Sequence, residues 1–256
     1  MSESPERKTV LITGSSSGIG LATAKLLLGR GARVIFHGHE PRQELGPELL
    51  ELLENSESPY LEANFLKEDA PETLASRLTE VVGSLDGFVH CAATPSHQPW
   101  RTVSVSEWER VFSLNLRSAF FLSQALAGQL IASQGSIVFV SSTHAVRVNR
   151  NNALYDTSKA ALNHLVRSLA LELKPEGVRV NAVMPGGVDT PMLEQWLVDY
   201  TGSSEAAQQT LADGVKSGSV GQPSDIAEVI AFLLSAHARW ITGTSVVADG
   251  GALLDR

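Results

Sequence analysis

Short β-branched apolar runs alternate along this chain with longer stretches whose apolar residues recur at helical spacing. Residues 9–13 (TVLIT) predict a first strand. A Gly/Ser turn follows, then a helical pattern over Ile19–Gly29, with Gly31 placed to end that helix in the left-handed conformation. Residues 33–36 (RVIF) predict a second strand and 59–63 a third. A helix near 70–82 precedes a strand at 86–91. A long helix near 105–131 leads into GSIVFVSS (135–142), and a helix at 153–173 into VRVNAV (178–183). TSVVA (244–248) closes the series. Such alternation predicts βαβ units and a parallel sheet, and right-handed crossovers put helices on both of its faces. The expected fold is α/β, a Rossmann-type doubly wound sheet of about seven strands. Residues 1–256 then form one domain.

One segment departs from the alternation. Residues 189–222 follow Pro185-Gly186-Gly187 and mix Met192, Leu193, Trp196, Leu197 and Tyr200 with a Gly/Ser-rich return. A surface helical excursion is one reading. A cover over a substrate pocket is the other, suggested by its place after a strand's carboxyl end.

Composition narrows the picture. Hydrophobic residues make up 43% and charged residues 19%, as in ordinary globular proteins. Net charge is −8 with scattered basic residues, which argues against nucleic acid or an anionic membrane as partner. A single cysteine, Cys91, excludes an intrachain disulfide and a thiolate-rich zinc site, so no metal is expected. The polar start MSESPERK lacks a signal peptide's apolar core, and no apolar stretch reaches the ~20 residues that span a bilayer. A cytoplasmic location is expected.

Candidate chemistry lies at two places. Gly14-Ser15-Ser16-Ser17-Gly18-Ile19-Gly20 joins the first strand to the first helix. Glycines let a ligand approach bare backbone there, and the helix N-terminus offers N–H groups to a pyrophosphate. At the second place, Tyr155 and Lys159 stand four apart on a predicted helix and therefore share a face. A nearby ammonium is expected to lower the phenol's pKa from ~10 toward working pH, making a proton donor or acceptor. Ser142 ends an apolar run thirteen positions earlier and can hydrogen-bond a substrate oxygen. Ser141 is its neighbour and competitor.

Thr13-Gly14-x-x-x-Gly18-Ile19-Gly20, with Asn115, Ser142, Tyr155 and Lys159, resembles the short-chain dehydrogenase/reductase family in its compact branch, from Thr9 to about Gly251. The resemblance implies an oxidoreductase that moves hydride between a nicotinamide and a carbonyl or secondary alcohol. It makes Asn115, Ser142, Tyr155 and Lys159 catalytic and has Asn115 position a water linked to the lysine. It selects Ser142 over Ser141. It assigns cofactor contacts to Gly14, Ser16, Ser17, Gly18, Ile19, Gly20, Gly38, His39, Asn64, Phe65, Cys91, Ala92 and Ala93. Tyr155, Lys159, Pro185, Gly186, Val188 and Thr190 complete that set. Asn181 and Asp249-Gly250-Gly251 match family positions and read as structural.

Departures also stand out. His90-Cys91-Ala92-Ala93 replaces the family's Asn-Asn-Ala-Gly and is closer to the extended members' His-x-Ala-Ala. His90 reads as a core histidine satisfied by backbone hydrogen bonds, and Cys91 as inert core. Asn64-Phe65 stands where the family often has Asp and an apolar residue beside the adenine. Gly38 aligns with the family's acidic position at the second strand's tip, so a 2′-phosphate would meet no repulsion there. His39 falls where NADP-using relatives often carry Arg, and Arg42 is close. Glu40, about twenty residues past the glycines, argues the other way. NADP(H) is favoured, with NAD(H) the alternative.

Substrate residues are expected at His144, Trp100, Met192 and Trp196, with Thr94, His97, Val146, Arg147 and Asn152 as further pocket candidates. A 3-oxoacyl-thioester reductase and a sugar, polyol or other alcohol dehydrogenase both fit. A dinucleotide-binding sensor that has lost turnover is the alternative from another class. Apolar residues on more than one stripe of the 105–131 and 153–173 helices, Phe120, Phe121 and Leu171 among them, call for a further partner, and the family resemblance implies a homotetramer.

Overall fold

The structure, a computed structural model, describes residues 8–254. The polar start read above for its lack of an apolar leader core lies mostly outside them. Seven strands form one parallel sheet among the described residues: β1 (Thr9–Thr13), β2 (Arg33–Gly38), β3 (Tyr60–Glu62), β4 (Gly87–His90), β5 (Ser136–Val140), β6 (Arg179–Pro185) and β7 (Ser245–Ala248). Their order is β3-β2-β1-β4-β5-β6-β7, so the chain leaves the sheet centre in opposite directions from β1 and from β4. Crevices open at that switch, beyond the strands' carboxyl ends.

Nine α-helices connect the strands in the described residues: α1 (Gly18–Gly29), α2 (Pro47–Ser56), α3 (Ala70–Val81), α4 (Val105–Phe112), α5 (Ser118–Ala132), α6 (Ala153–Leu173), α7 (Pro191–Thr201), α8 (Ser204–Ser217) and α9 (Pro223–Leu234). Strand periodicity divides the core between two faces. Leu11, Ile35, Phe88, Ile137 and Phe139 pack with α3, α5 and α6. Val10, Ile12, Val34, Phe36, Val89 and Val138 pack with α1, α2 and α9 on the other face. Each such side chain, fully buried, contributes about 1.5–3 kcal/mol.

The predicted strands all occur, and Gly31 has φ +85° just past α1. Two helices escape the sequence pattern, α2 and α9. Both carry start signals that could have found them: Pro47 in the first turn of α2, and a Gln222–Asp225 capping box with Pro223 at α9. The long helix expected near 105–131 is interrupted. Residues Ser113–Arg117 form a π turn between α4 and α5. The wider turn coincides with Asn115, whose amide is tied sideways, and an extra residue per turn re-aims a side chain in this way.

Two buried histidines clamp the strand ends. Gly14 N–H donates to His37 Nδ1 at 3.2 Å, and His37 Nε2 lies 3.2 Å from the Ala63 carbonyl, which requires the Nε2–H tautomer. The ring stacks on Phe65 at 4.4 Å. His90 Nδ1 lies 2.8 Å from Thr13 Oγ1 and Nε2 lies 3.2 Å from Ser118 Oγ. Besides the expected backbone contact, at Leu114, His90 thus meets two hydroxyls, one from β1 and one from α5. Burial pushes both imidazoles down to about 3.

Both rings therefore stay neutral in the fold where the unfolded chain would take up protons below its ordinary histidine pKa of ~6.5. Stability falls as pH drops from that value toward 3, by about 2 kcal/mol per ring at pH 5. Urea unfolding at pH 7.5 and pH 5 measures this, and a His37→Gln/His90→Gln variant loses correspondingly less between the two.

Candidate active site

A cleft of about 700 Å³ runs along the carboxyl edge of the sheet. At one end the glycine turn lies against the β4 exit. A Cβ on Gly14 (φ +64°) would stand 2.8 Å from the Ala92 Cα, and one on Gly20 would stand 2.2 Å from the Gly14 carbonyl oxygen. Only glycine permits this packing. Ser17 precedes α1 without a side-chain cap, so the helix's first N–H groups and positive end face the cleft. Ser16, Ser17, Gly18, Ile19 and Gly20 line this end with Cys91, Ala92 and Ala93. A Gly-walled cradle beside an uncapped helix start fits a dinucleotide's pyrophosphate.

The tip of β2 is occupied by a carboxylate. Glu40 folds back over Gly38, where a Cβ would meet the Tyr60 hydroxyl at 2.4 Å and Glu40 Oε2 at 2.5 Å. Gly38 thus makes room for a carboxylate rather than for a phosphate. Ser16 Oγ donates to Glu40 Oε1 at 3.5 Å, while Oε2 is buried without a hydrogen-bond donor. His39 is exposed, its Nδ1 3.5 Å from that oxygen, and Arg42 is exposed beyond it. Asn64 and Phe65 border the same end, but Phe65 is 2% exposed and its ring is engaged with His37.

Cys91 is a partial correction too. It lines the cleft instead of lying wholly in the core. Its thiol is inert all the same, since desolvation pushes it up to about 12 against the opposing pull of Lys159.

At the other end, α6 presents Tyr155 and Lys159 to the cleft. Lys159 is buried, its ammonium donates to the Val140 carbonyl at 3.0 Å, and it lies 5.7 Å from the Tyr155 ring centroid. Desolvation brings Lys159 down to about 8. The two serines after β5 divide their work. Ser141 Oγ donates to the Lys159 carbonyl at 3.4 Å and so braces α6, whereas Ser142 hydrogen-bonds Tyr155. The expected lowering of Tyr155 by Lys159 does not occur in the chain by itself. Desolvation pushes the phenol up to about 12, with the charge of Asp156 adding to it, and the Ser142 hydrogen bond only partly offsets them.

Asn115 sits behind this wall, fully buried. The Thr94 N–H donates to its Oδ1 at 2.8 Å, and its Nδ2 donates to the Thr94 carbonyl at 3.1 Å and to Ser158 Oγ at 3.0 Å. Its side chain is spent on holding the π turn to the β4 exit and to α6, so it is a positioning residue. Asn181 and Asp249 bond neighbouring backbone, in keeping with the structural reading.

Pro185, Gly186, Val188 and Thr190 line the cleft past β6. The segment 189–222 folds as α7 and α8. A Val188–Gly221 bridge closes its base, and Thr190 caps α7. From α7, Met192 and Trp196 reach the cleft, and Trp196 is backed by Tyr200, stacked at 5.3 Å, and by His97. His144 lines the cleft beside Tyr155. Trp100 does not. It is 68% exposed in a separate groove with Val105, Trp108 and Leu154. A Gln98 N–H bond to the Asn151 carbonyl and the turn that follows Pro99 swing the indole outward. Arg110 and Asn149, which the sequence did not single out, also border the cleft. Arg110 is taken up by Glu107 and the Thr94–Pro95 loop.

Fold and cleft together define a Rossmann-type α/β protein with Tyr155, Ser142 and Lys159 gathered at one end of its cleft. The sequence model of a family described as enoyl-(acyl carrier protein) reductase matches residues 14–252, and the chain belongs to the short-chain dehydrogenase/reductase family. It is an oxidoreductase of the alcohol–ketone type. It is 31% identical to the 3-oxoacyl-[acyl-carrier-protein] reductase FabG of Thermotoga maritima, covering 97% of this chain and 99% of that one. It is 32% identical to the L-rhamnose 1-dehydrogenase (NAD(P)(+)) of Azotobacter vinelandii, covering 97% of each. The ligand-free aldohexose dehydrogenase of Thermoplasma acidophilum superposes with a TM-score of 0.85 at 28% identity, covering 98% of this chain and 95% of that one. Among the described residues no helix is long and apolar enough to cross a membrane, and no cluster of side chains is arranged to hold a metal.

Proposed function

We propose that this chain transfers hydride between a nicotinamide dinucleotide and a carbonyl or secondary-alcohol substrate, with Tyr155 as general acid/base. The observation that carries the reading is the convergence of Tyr155, Ser142 and Lys159 at one end of a cleft whose other end is the glycine turn. When bound, the dinucleotide supplies or accepts the hydride. Ser142 and Tyr155 hold the reacting oxygen, and Tyr155 moves the proton. With its phenol up near 12, Tyr155 holds its proton at neutral pH and is ready to donate it to a developing alkoxide. Alcohol oxidation needs the phenolate, so that direction gains with rising pH. Lys159, fixed by Val140, stands in position to stabilise the phenolate as it forms. Met192 and Trp196 supply an apolar cover over the substrate.

For the dinucleotide, Glu40 reverses the preference read from the sequence. A buried carboxylate oxygen without a donor suits the ribose hydroxyls of NAD(H) and repels a 2′-phosphate. His39 and Arg42 remain at the surface. In assembly, Phe120, Phe121 and Leu171 stay exposed on α5 and α6, which supports pairing through these helices into a homotetramer.

Tyr155→Phe is expected to lower turnover about 10²–10⁴-fold on any accepted substrate, with the dissociation constant for the dinucleotide little changed. Cofactor choice is read from kcat/KM and from fluorescence titration of NADH and NADPH. NAD(H) is expected to lead by about tenfold or more, a difference of ~1.4 kcal/mol, and Glu40→Gln to narrow the gap; a clear NADP(H) lead in the unaltered chain overturns the assignment. Sedimentation at micromolar concentration is expected to show a tetramer, and a stable monomer counts against it.

A further inference from the structure

A second polar group lies in the cleft beside Tyr155, unused by the proton transfer described above. His144 sits on the 3₁₀ turn Thr143–Ala145, and its backbone N–H donates to Ser142 Oγ at 3.1 Å. Its ring meets that of Tyr155 edge-on at 5.8 Å. Asp156, the next residue along α6, is buried and lies 2.8 Å from His144 Nδ1 through Oδ1. The same carboxylate accepts from Asn152 Nδ2 at 2.7 Å and from the Asn149 N–H at 3.2 Å.

These contacts decide the protonation pattern. Asn152 Nδ2 also approaches His144 Nδ1, at 2.9 Å. A bare Nδ1 would turn its lone pair toward a carboxylate oxygen at 2.8 Å, which is repulsive. Nδ1 therefore carries the proton and donates it to Asp156, as in carboxylate-oriented imidazoles elsewhere. In the neutral ring Nε2 is then an acceptor, and its neighbour is the exposed amide of Asn149, 3.4 Å away. Asp156 also settles the Asn152 amide. Turning it over would set Oδ1 against the carboxylate, so Nδ2 stays there and Oδ1 is left buried with no donor. His144 and Asn152 both line the cleft. Asn152 Oδ1, without a donor, and His144 Nε2, held only by an exposed amide at 3.4 Å, thus flank the place where Ser142 and Tyr155 hold the reacting oxygen.

We infer that His144 and Asn152, oriented by Asp156, form a subsite that accepts hydrogen bonds from a second hydroxyl of the substrate, near the reacting carbon. The preferred substrates are then polyhydroxylated alcohols or their hydroxyketones, not thioesters or isolated alcohols. This rests on the hydride-transfer reading above and deepens it. A site built to hydrogen-bond a hydroxyl discriminates strongly against analogues that lack it, because its polar groups are left unpaired. In this role His144 and Asn152 bind substrate, and Asp156 is a positioning residue.

The test compares trans-cyclohexane-1,2-diol with cyclohexanol in the presence of NAD⁺, in the unaltered chain and in Asp156→Asn, His144→Phe and His144→Gln. The diol is expected to lead in kcat/KM by tenfold or more, mainly through KM. Asp156→Asn and His144→Phe are expected to remove most of that lead, and His144→Gln to retain part of it. Long-range ¹H–¹⁵N spectra are expected to show the Nδ1–H tautomer of His144, its loss in Asp156→Asn, and a shift of Nε2 on adding the diol but not cyclohexanol. Turnover of both alcohols without discrimination, or equal losses for both in every variant, overturns the subsite. A diol-specific shift of Nε2 without turnover of either alcohol keeps the subsite and removes the hydride-transfer reading instead.

Discussion

The backbone of the glycine turn and that of the β4 exit meet at Gly14 and Ala92 so closely that no side chain fits between them. Most of the site depends on this contact. It brings together the two loops that leave the sheet centre in opposite directions, and the cleft begins where they part. Thr13, one residue before the contact, holds His90, and His90 in turn meets Ser118 at the start of α5. Gly14 itself is held from the other side by His37, which reaches on to Ala63. The glycine turn is thus kept in place by two neutral imidazoles beneath it.

The substrate end is built on a different principle. There a buried polar network positions the groups that line the cleft. Ser141 takes the backbone of α6 so that Ser142 is free for Tyr155. Val140 takes the ammonium of Lys159, and Thr94 with Ser158 takes the amide of Asn115. Low dielectric makes such bonds worth more and makes an unpaired group costly. Among the acceptors left without donors, two border the cleft, on Glu40 and on Asn152. They stand at opposite ends of the same cleft, and the function proposed above gives one to the cofactor's ribose and the other to the substrate.

Burial also explains why spacing alone misjudges the tyrosine. Four residues on a helix put the phenol and the ammonium on one face, but proximity is only one influence on a pKa. Removing both groups from water moves Tyr155 up and Lys159 down, each toward its neutral form. Taken alone, the chain keeps Tyr155 protonated.

The sequence by itself determined the strands and their parallel arrangement, because strand periodicity is local, while the members of the cleft from Gly14 to Thr190 came from the resemblance to a family. The resemblance to a family selected Ser142 over Ser141. The π turn at Asn115, the outward swing of Trp100 and the return of Glu40 over Gly38 depend instead on partners far along the chain, Ser158, Asn151 and Tyr60 among them. Only the tertiary structure decided those. A pairing such as His144 with Asp156 is twelve residues apart in the chain and 2.8 Å apart in space, a closeness that no periodicity encodes.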